Sequence, residues 1–154
     1  MDIKINEAYF LRLLNETEPT DAVETLSGFW LHRMAEKSEH FGLSKPEWQT
    51  QLISIYAGEV GNGGHSQYFL NRGTTHAPET LVALKNVSLH DLAEIMQAAL
   101  NVVTDYSCIE NLTPSDLQKL HSLDVKTWSL VADIDSALLR QLRENSSQVF
   151  VPER

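Results

Sequence analysis

The chain has a single cysteine, few bases and no long apolar run. A lone Cys108 cannot close an internal disulfide, so burial of apolar surface must hold the fold, and a reducing, cytoplasmic setting is expected. No stretch approaches the roughly 20 apolar residues that a membrane-spanning helix requires, and the opening residues do not read as a charged-then-apolar leader. Membrane association is not expected. Basic residues number 12 against 21 acidic ones, which leaves a formal charge of -9. Direct binding to nucleic acid is disfavoured, because no basic footprint exists to displace counterions from phosphates. The charge favours a basic partner. Strand-like alternation is scarce too: only "SQVFV", residues 147–151, reads as extended, and one such segment cannot build a sheet.

Helical periodicity fills the rest. From Thr17 to His40, Pro19 sits where a first turn tolerates it, and Val23, Leu26, Trp30 and Met34 form an apolar stripe. Asp21, Glu24, His32, Glu36 and Glu39 fall on the opposite side, giving an acidic outer face. Ser44 and Glu47 match a capping box that starts a second helix, on which Trp48, Leu52, Ile55 and Tyr56 share one face. Glu59 shares that face, and a carboxylate there must find hydrogen-bond partners, since desolvating it alone costs several kcal/mol. Its natural partners lie just downstream. Pro78 opens a short helix to about Lys85, and Ser88 with Asp91 is expected to cap another that carries Leu89, Leu92, Met96, Leu100 and Val103 inward. Thr113, Pro114 and Asp116 form a further start signal. A last helix carries Ile134, Leu138 and Leu142. These elements predict an all-α fold of about seven helices, and the absence of repeats or linkers predicts one domain over residues 1–154.

Glycine is scarce but concentrated. Five of the seven glycines lie in "GEVGNGGHSQYFLNRG", residues 58–73. Gly61 falls where the second helix should stop, because glycine closes helix ends by entering the left-handed conformation. Gly63 and Gly64 then begin a short helix that ends at Gly73. On a helical wheel Gly63, Gly64, Gln67 and Asn71 lie together, opposite His65, Phe69 and Arg72. Three readings stay open. A structural corner would pack the glycine backbone closely against a neighbour, with Gln67 and Asn71 satisfying buried polar groups. An anion cradle would use free N–H groups at the helix start to hold phosphate or carboxylate. Acid–base chemistry would require Glu59 and His65 in one cleft with displaced pKa values.

Other chemistry is sparse. His32, Glu36 and His40 align along one helix, but ligands from a single element at that spacing do not form a metal site. Cys108 has no nearby histidine and reads as a small apolar residue. No catalytic residue, metal or cofactor is expected.

The segment Glu59-Val60-Gly61-Asn62-Gly63-Gly64-His65-Ser66-Gln67-Tyr68-Phe69-Leu70-Asn71 resembles the signature of the DMP-like family of small helical proteins. Glu59, Asn62, Gly63, Gly64, Gln67, Tyr68 and Asn71 carry the resemblance. Gly61 departs from it, standing where a polar residue is more usual. The resemblance implies an all-helical fold, a homodimer and, for the DNA-mimic type, an acidic surface that occupies the DNA-binding face of a transcription regulator. Asp21, Glu24, Glu36 and Glu39 are the candidate surface here. A duplex about 30 Å long presents about 18 phosphate charges. With 21 acids diluted by 12 bases, the chain can imitate only a short backbone segment.

Overall fold

A computed structural model describes residues 6–36 and 42–149, with only the backbone described for residues 32–36. The described residues are predominantly helical, with no strand among them. They group into two compact units: one combines the residues up to Gln51 with those from Asp135 on, and the other is Leu52–Ile134.

In the first unit, α1 spans Glu7–Glu16 and α2 spans Pro19–Glu36. α1 has a start signal of its own: the Asn6 side chain accepts from the Tyr9 N–H at 2.8 Å, and Phe10, Leu13 and Leu14 are buried at helical spacing. The chain then turns at Thr17 and re-enters helix at Pro19. The α2 stripe lies inward as its spacing predicts, with Val23, Leu26 and Trp30 buried and Asp21 and Glu24 exposed. Met34, His32 and Glu36 have undescribed side chains, and Glu39 and His40 lie outside the described residues.

α3, Lys45–Arg72, begins in the first unit and continues into the second. Its capping box forms as written in the sequence: the Ser44 N–H donates to Glu47 Oε2 at 2.7 Å, and the Glu47 N–H reaches Ser44 Oγ at 3.5 Å. The Gln141 amide donates to the Pro46 carbonyl at 3.1 Å and to Thr50 Oγ1 at 3.3 Å, tying α7, Ile134–Glu144, to the start of α3. α8, Ser146–Val149, is a single helical turn that takes in residues 147–149 of the segment expected to be extended; Phe150 and Val151 lie outside the described residues. One isolated segment has no partner strand to supply ladder hydrogen bonds, so its backbone satisfies itself locally.

The second unit continues α3 and adds α4 (Ala77–Asn86), α5 (His90–Val103) and α6 (Pro114–Trp128). α5 packs against both α4 and α6. Thr113 caps α6 as its sequence predicts, accepting from the Asp116 N–H at 3.2 Å. The cap expected at Ser88 does not form. Ser88 adopts a φ of 63°, and Leu89 occupies the cap position without a side-chain hydrogen bond. The reason lies upstream: Ser88 N–H bonds back to the Lys85 carbonyl and Leu89 N–H to the Leu84 carbonyl. Ser88 thus closes α4 in the left-handed conformation that usually falls to glycine or asparagine.

Candidate functional site

The glycine segment is a joint inside one helix. α3 does not stop at Gly61, which sits in helix with nothing near its Cβ position; the break falls at Gly63 (φ -154°, ψ 18°) and Gly64 (φ 75°, ψ -175°). Gly61 has no partner that would reward leaving the helix. Gly64 has one. A Cβ built on Gly64 would lie 2.2 Å from Asp124 Oδ2, and its positive φ is a conformation that other residues adopt only at a cost. At Gly63 a Cβ would lie 2.1 Å from Gln67 Oε1. The corner is closed at its far end by Gly73, at φ 62°, whose N–H bonds to the Phe69 carbonyl at 2.8 Å.

What reaches into the joint is an internal carboxylate. Asp124, on α6, accepts the His65 backbone N–H at 2.8 Å and pairs with His65 Nδ1 at 2.5 Å. His65 is the first residue after the break, so its N–H is one of the donors left without a partner when a helix restarts. A carboxylate at that position also meets the positive end of the helix dipole. The Gly-rich turn therefore does hold an anion, and the anion belongs to the protein.

The imidazole continues the chain of hydrogen bonds. His65 is fully buried, and its Nε2 lies 2.9 Å from the Tyr56 hydroxyl. Because a carboxylate only accepts, Nδ1 must carry the proton toward Asp124, and Nε2 accepts from the Tyr56 O–H. Burial pushes the His65 pKa below its ordinary value, against the opposing pull of Asp124. The ring is neutral at pH 7. Burial also drives the Tyr56 phenol well above its usual range, with a hydrogen bond from Thr127 partly offsetting it. Tyr68 packs edge-on against both Tyr56 and Phe69, at centroid distances of 5.3 and 5.1 Å.

Glu59 forms a separate cluster. Its carboxylate accepts from Gln67 Nε2 at 3.1 Å, Asn71 Nδ2 at 2.8 Å and Arg72 Nε at 2.8 Å. These are the downstream partners that its place on the inward face requires. The hydrogen bond from Asn71 leads in holding the Glu59 carboxyl below its usual pKa, with Gln67 and Arg72 adding to it. Glu59 and His65 thus serve different hydrogen-bond sets, each linking a residue before the break to residues after it. Asn62 is exposed on the last turn before the break.

Sequence reasoning missed Asp124 and Tyr56 as members of this constellation. Asp124 lies 59 residues from His65, and no local spacing signals it. Its one visible mark is an acid at an inward position of α6, where it needs a partner as Glu59 does. A surface depression of about 310 Å³ lies elsewhere in the second unit, at the start of α5, lined by Ser88, His90, Asp91 and Asp133 among others and by none of the corner residues. Among the described residues no group of three or more histidine, cysteine or acidic side chains is placed to hold a metal ion. The proposed His32–Glu36–His40 alignment falls on side chains that the structure does not describe. No helix of the described residues is long and apolar enough to cross a membrane.

Fold and joint together define a small all-helical module in which a paired-glycine break is locked by an interior carboxylate. The chain belongs to the DMP19-like protein family, whose model matches residues 42–145 and so takes in the whole of α3 and the Asp124 latch. No curated protein and no solved structure matches the chain.

Proposed function

We propose that the protein is a non-enzymatic, cytoplasmic interaction module that uses an acidic helical surface to bind a basic protein, in the manner of a short DNA mimic occupying the DNA-binding face of a transcription regulator. Membership of the DMP19-like family carries the reading. The net charge of -9 supports it, and so do the exposed Asp21 and Glu24, which enter no ion pair among the described residues. Three residues apart on α2, they stand about 4.5 Å apart along the helix axis, somewhat wider than the roughly 3.4 Å charge repeat of one DNA strand. Glu36 and Glu39 extend the same face in sequence.

The corner from Glu59 to Asn71 serves as architecture in this reading. A small-molecule pocket there would have to displace Asp124 from the His65 N–H and strip three donors from Glu59. The test is competition. The partner is expected to be released by double-stranded DNA and by rising salt, and to bind Asp21→Lys/Glu24→Lys at least tenfold more weakly. A partner that binds DNA and this protein together, or that ignores both charge reversals, would refute the mimic reading.

A further inference from the structure

Asn62 is the one asparagine in the chain that a glycine follows, and the pair falls at the joint. Both residues are exposed. Hydrogen bonds occupy the side-chain amides of Asn15, Asn71 and Asn145, which donate to the Leu11 carbonyl, to Glu59 and to the Gln141 carbonyl. Among the described residues no such bond holds the Asn62 amide.

An asparagine in this setting can react with its own backbone. The nitrogen of the following residue attacks Cγ, and glycine leaves that nitrogen least shielded because it carries no Cβ. A helix hinders the attack, since its ψ holds Cγ away from the next nitrogen and its hydrogen bonds fix the peptide plane. Asn62 must therefore turn about ψ. Inside an unbroken helix that rotation would displace every later turn. At the joint it need not. Gly63 and Gly64 have already left helical geometry, and glycine populates both signs of φ, so the two together absorb the rotation. Asp124 holds the His65 N–H and fixes where the chain resumes, which keeps the movement local.

We infer that Asn62 is a site of spontaneous deamidation in the folded protein, through a cyclic imide closed on the Gly63 nitrogen. In the first step the bond from Gly63 N to Asn62 Cγ forms and the Cγ–Nδ2 bond breaks. The amide nitrogen leaves as ammonia, with the proton that the backbone nitrogen gives up. In the second step water opens the ring, its hydroxyl going to one carbonyl carbon and its proton to the ring nitrogen. Opening at the side-chain carbonyl gives aspartate; opening at the main-chain carbonyl gives isoaspartate, which lengthens the main chain by one methylene. Water is the only co-reactant. Either product adds a negative charge at an exposed position three residues from Glu59, and isoaspartate also shifts the last turn before the break. The inference stands whether or not the mimic reading does.

The test incubates the full chain at pH 7.5 in heavy-oxygen water and maps its peptides by mass spectrometry. Label and isoaspartate are expected to accumulate at residue 62 at least tenfold faster than label at Asn86 and Asn101, which are also exposed but precede valine. The part played by the joint is read from His121→Asn/Ser122→Gly, which places the same pair at two exposed positions inside the unbroken α6. Reaction there is expected to be at least tenfold slower than at residue 62. Should that variant fail to fold, the reference is a synthetic peptide of residues 58–68, and the folded chain is expected to keep at least a tenth of its rate. The proposal is overturned if residue 62 takes up no label, if either tenfold difference is absent, or if the folded chain falls below a tenth of the peptide's rate. Label without isoaspartate would overturn it too, because direct hydrolysis of the amide gives aspartate alone.

Discussion

Gly64 and Gly61 stand three positions apart in one helix and are predicted to respond oppositely to the same substitution. Gly64→Ala puts a methyl 2.2 Å from the Asp124 carboxylate at a φ of 75°, so it should destabilise by at least the roughly 1–2 kcal/mol that the left-handed conformation costs. Gly61→Ala adds a methyl to open space within a helix and should stabilise by about 0.5–1 kcal/mol. Urea denaturation of the two variants checks both signs. Asp124→Ala removes the acceptor for two His65 N–H groups in a buried setting and should cost about 3 kcal/mol. His65 also sets a pH dependence. Its folded pKa lies below the ordinary value of 6.5, so near and below that value the unfolded chain binds a proton that the folded chain refuses. Stability is then fully present above about pH 6.5 and is lost as the pH falls. The urea midpoint should drop between pH 7.5 and pH 5.5, and His65→Gln should flatten that slope. An unchanged slope would contradict a neutral, buried His65. Glu59 acts in a lower window, below its ordinary carboxylate value of 4.5, and does not confuse the measurement.

At the scale of elements, the helix starts were largely legible because caps are local chemistry. Ser44 with Glu47 and Thr113 with Asp116 form the hydrogen bonds that their spacing implies, and Gly73 ends α3. The requirement that Glu59 find donors in the following turns was legible for the same reason. The break in α3 was misplaced by two residues. Sequence marks every glycine as permissive, but only the approach of Asp124 from another helix decides which one leaves the helix. Ser88 was read as a start because serine favours caps, yet it serves the end of the preceding helix. α1 carries equally local signals in the Asn6 cap and the Phe10–Leu13–Leu14 spacing. Asp124 itself was out of reach, since nothing in a local pattern pairs residues on α3 and α6. The prediction at this scale concerns the joint as a unit. Combining Gly64→Ala with Asp124→Ala should be less costly than the sum of the two, because the clash that the first creates is with the group that the second removes. Additive costs in a double-mutant cycle would mean that Asp124 does not latch the joint.

For the whole molecule, the proposed electrostatic recognition of a basic surface rests on the family assignment, the charge of -9 and the exposed Asp21 and Glu24. Such binding carries a signature that packing does not, because exposed charge pairs weaken as the Debye length shrinks. The most direct measurement is a pull-down with the immobilised protein, graded from about 0.05 M to about 1 M salt and repeated with excess duplex DNA. The account predicts a partner with a basic DNA-binding face that is released progressively by salt and displaced by the duplex. Partners held equally at both ends of the salt range, or a bound set with no basic surface among it, would contradict it.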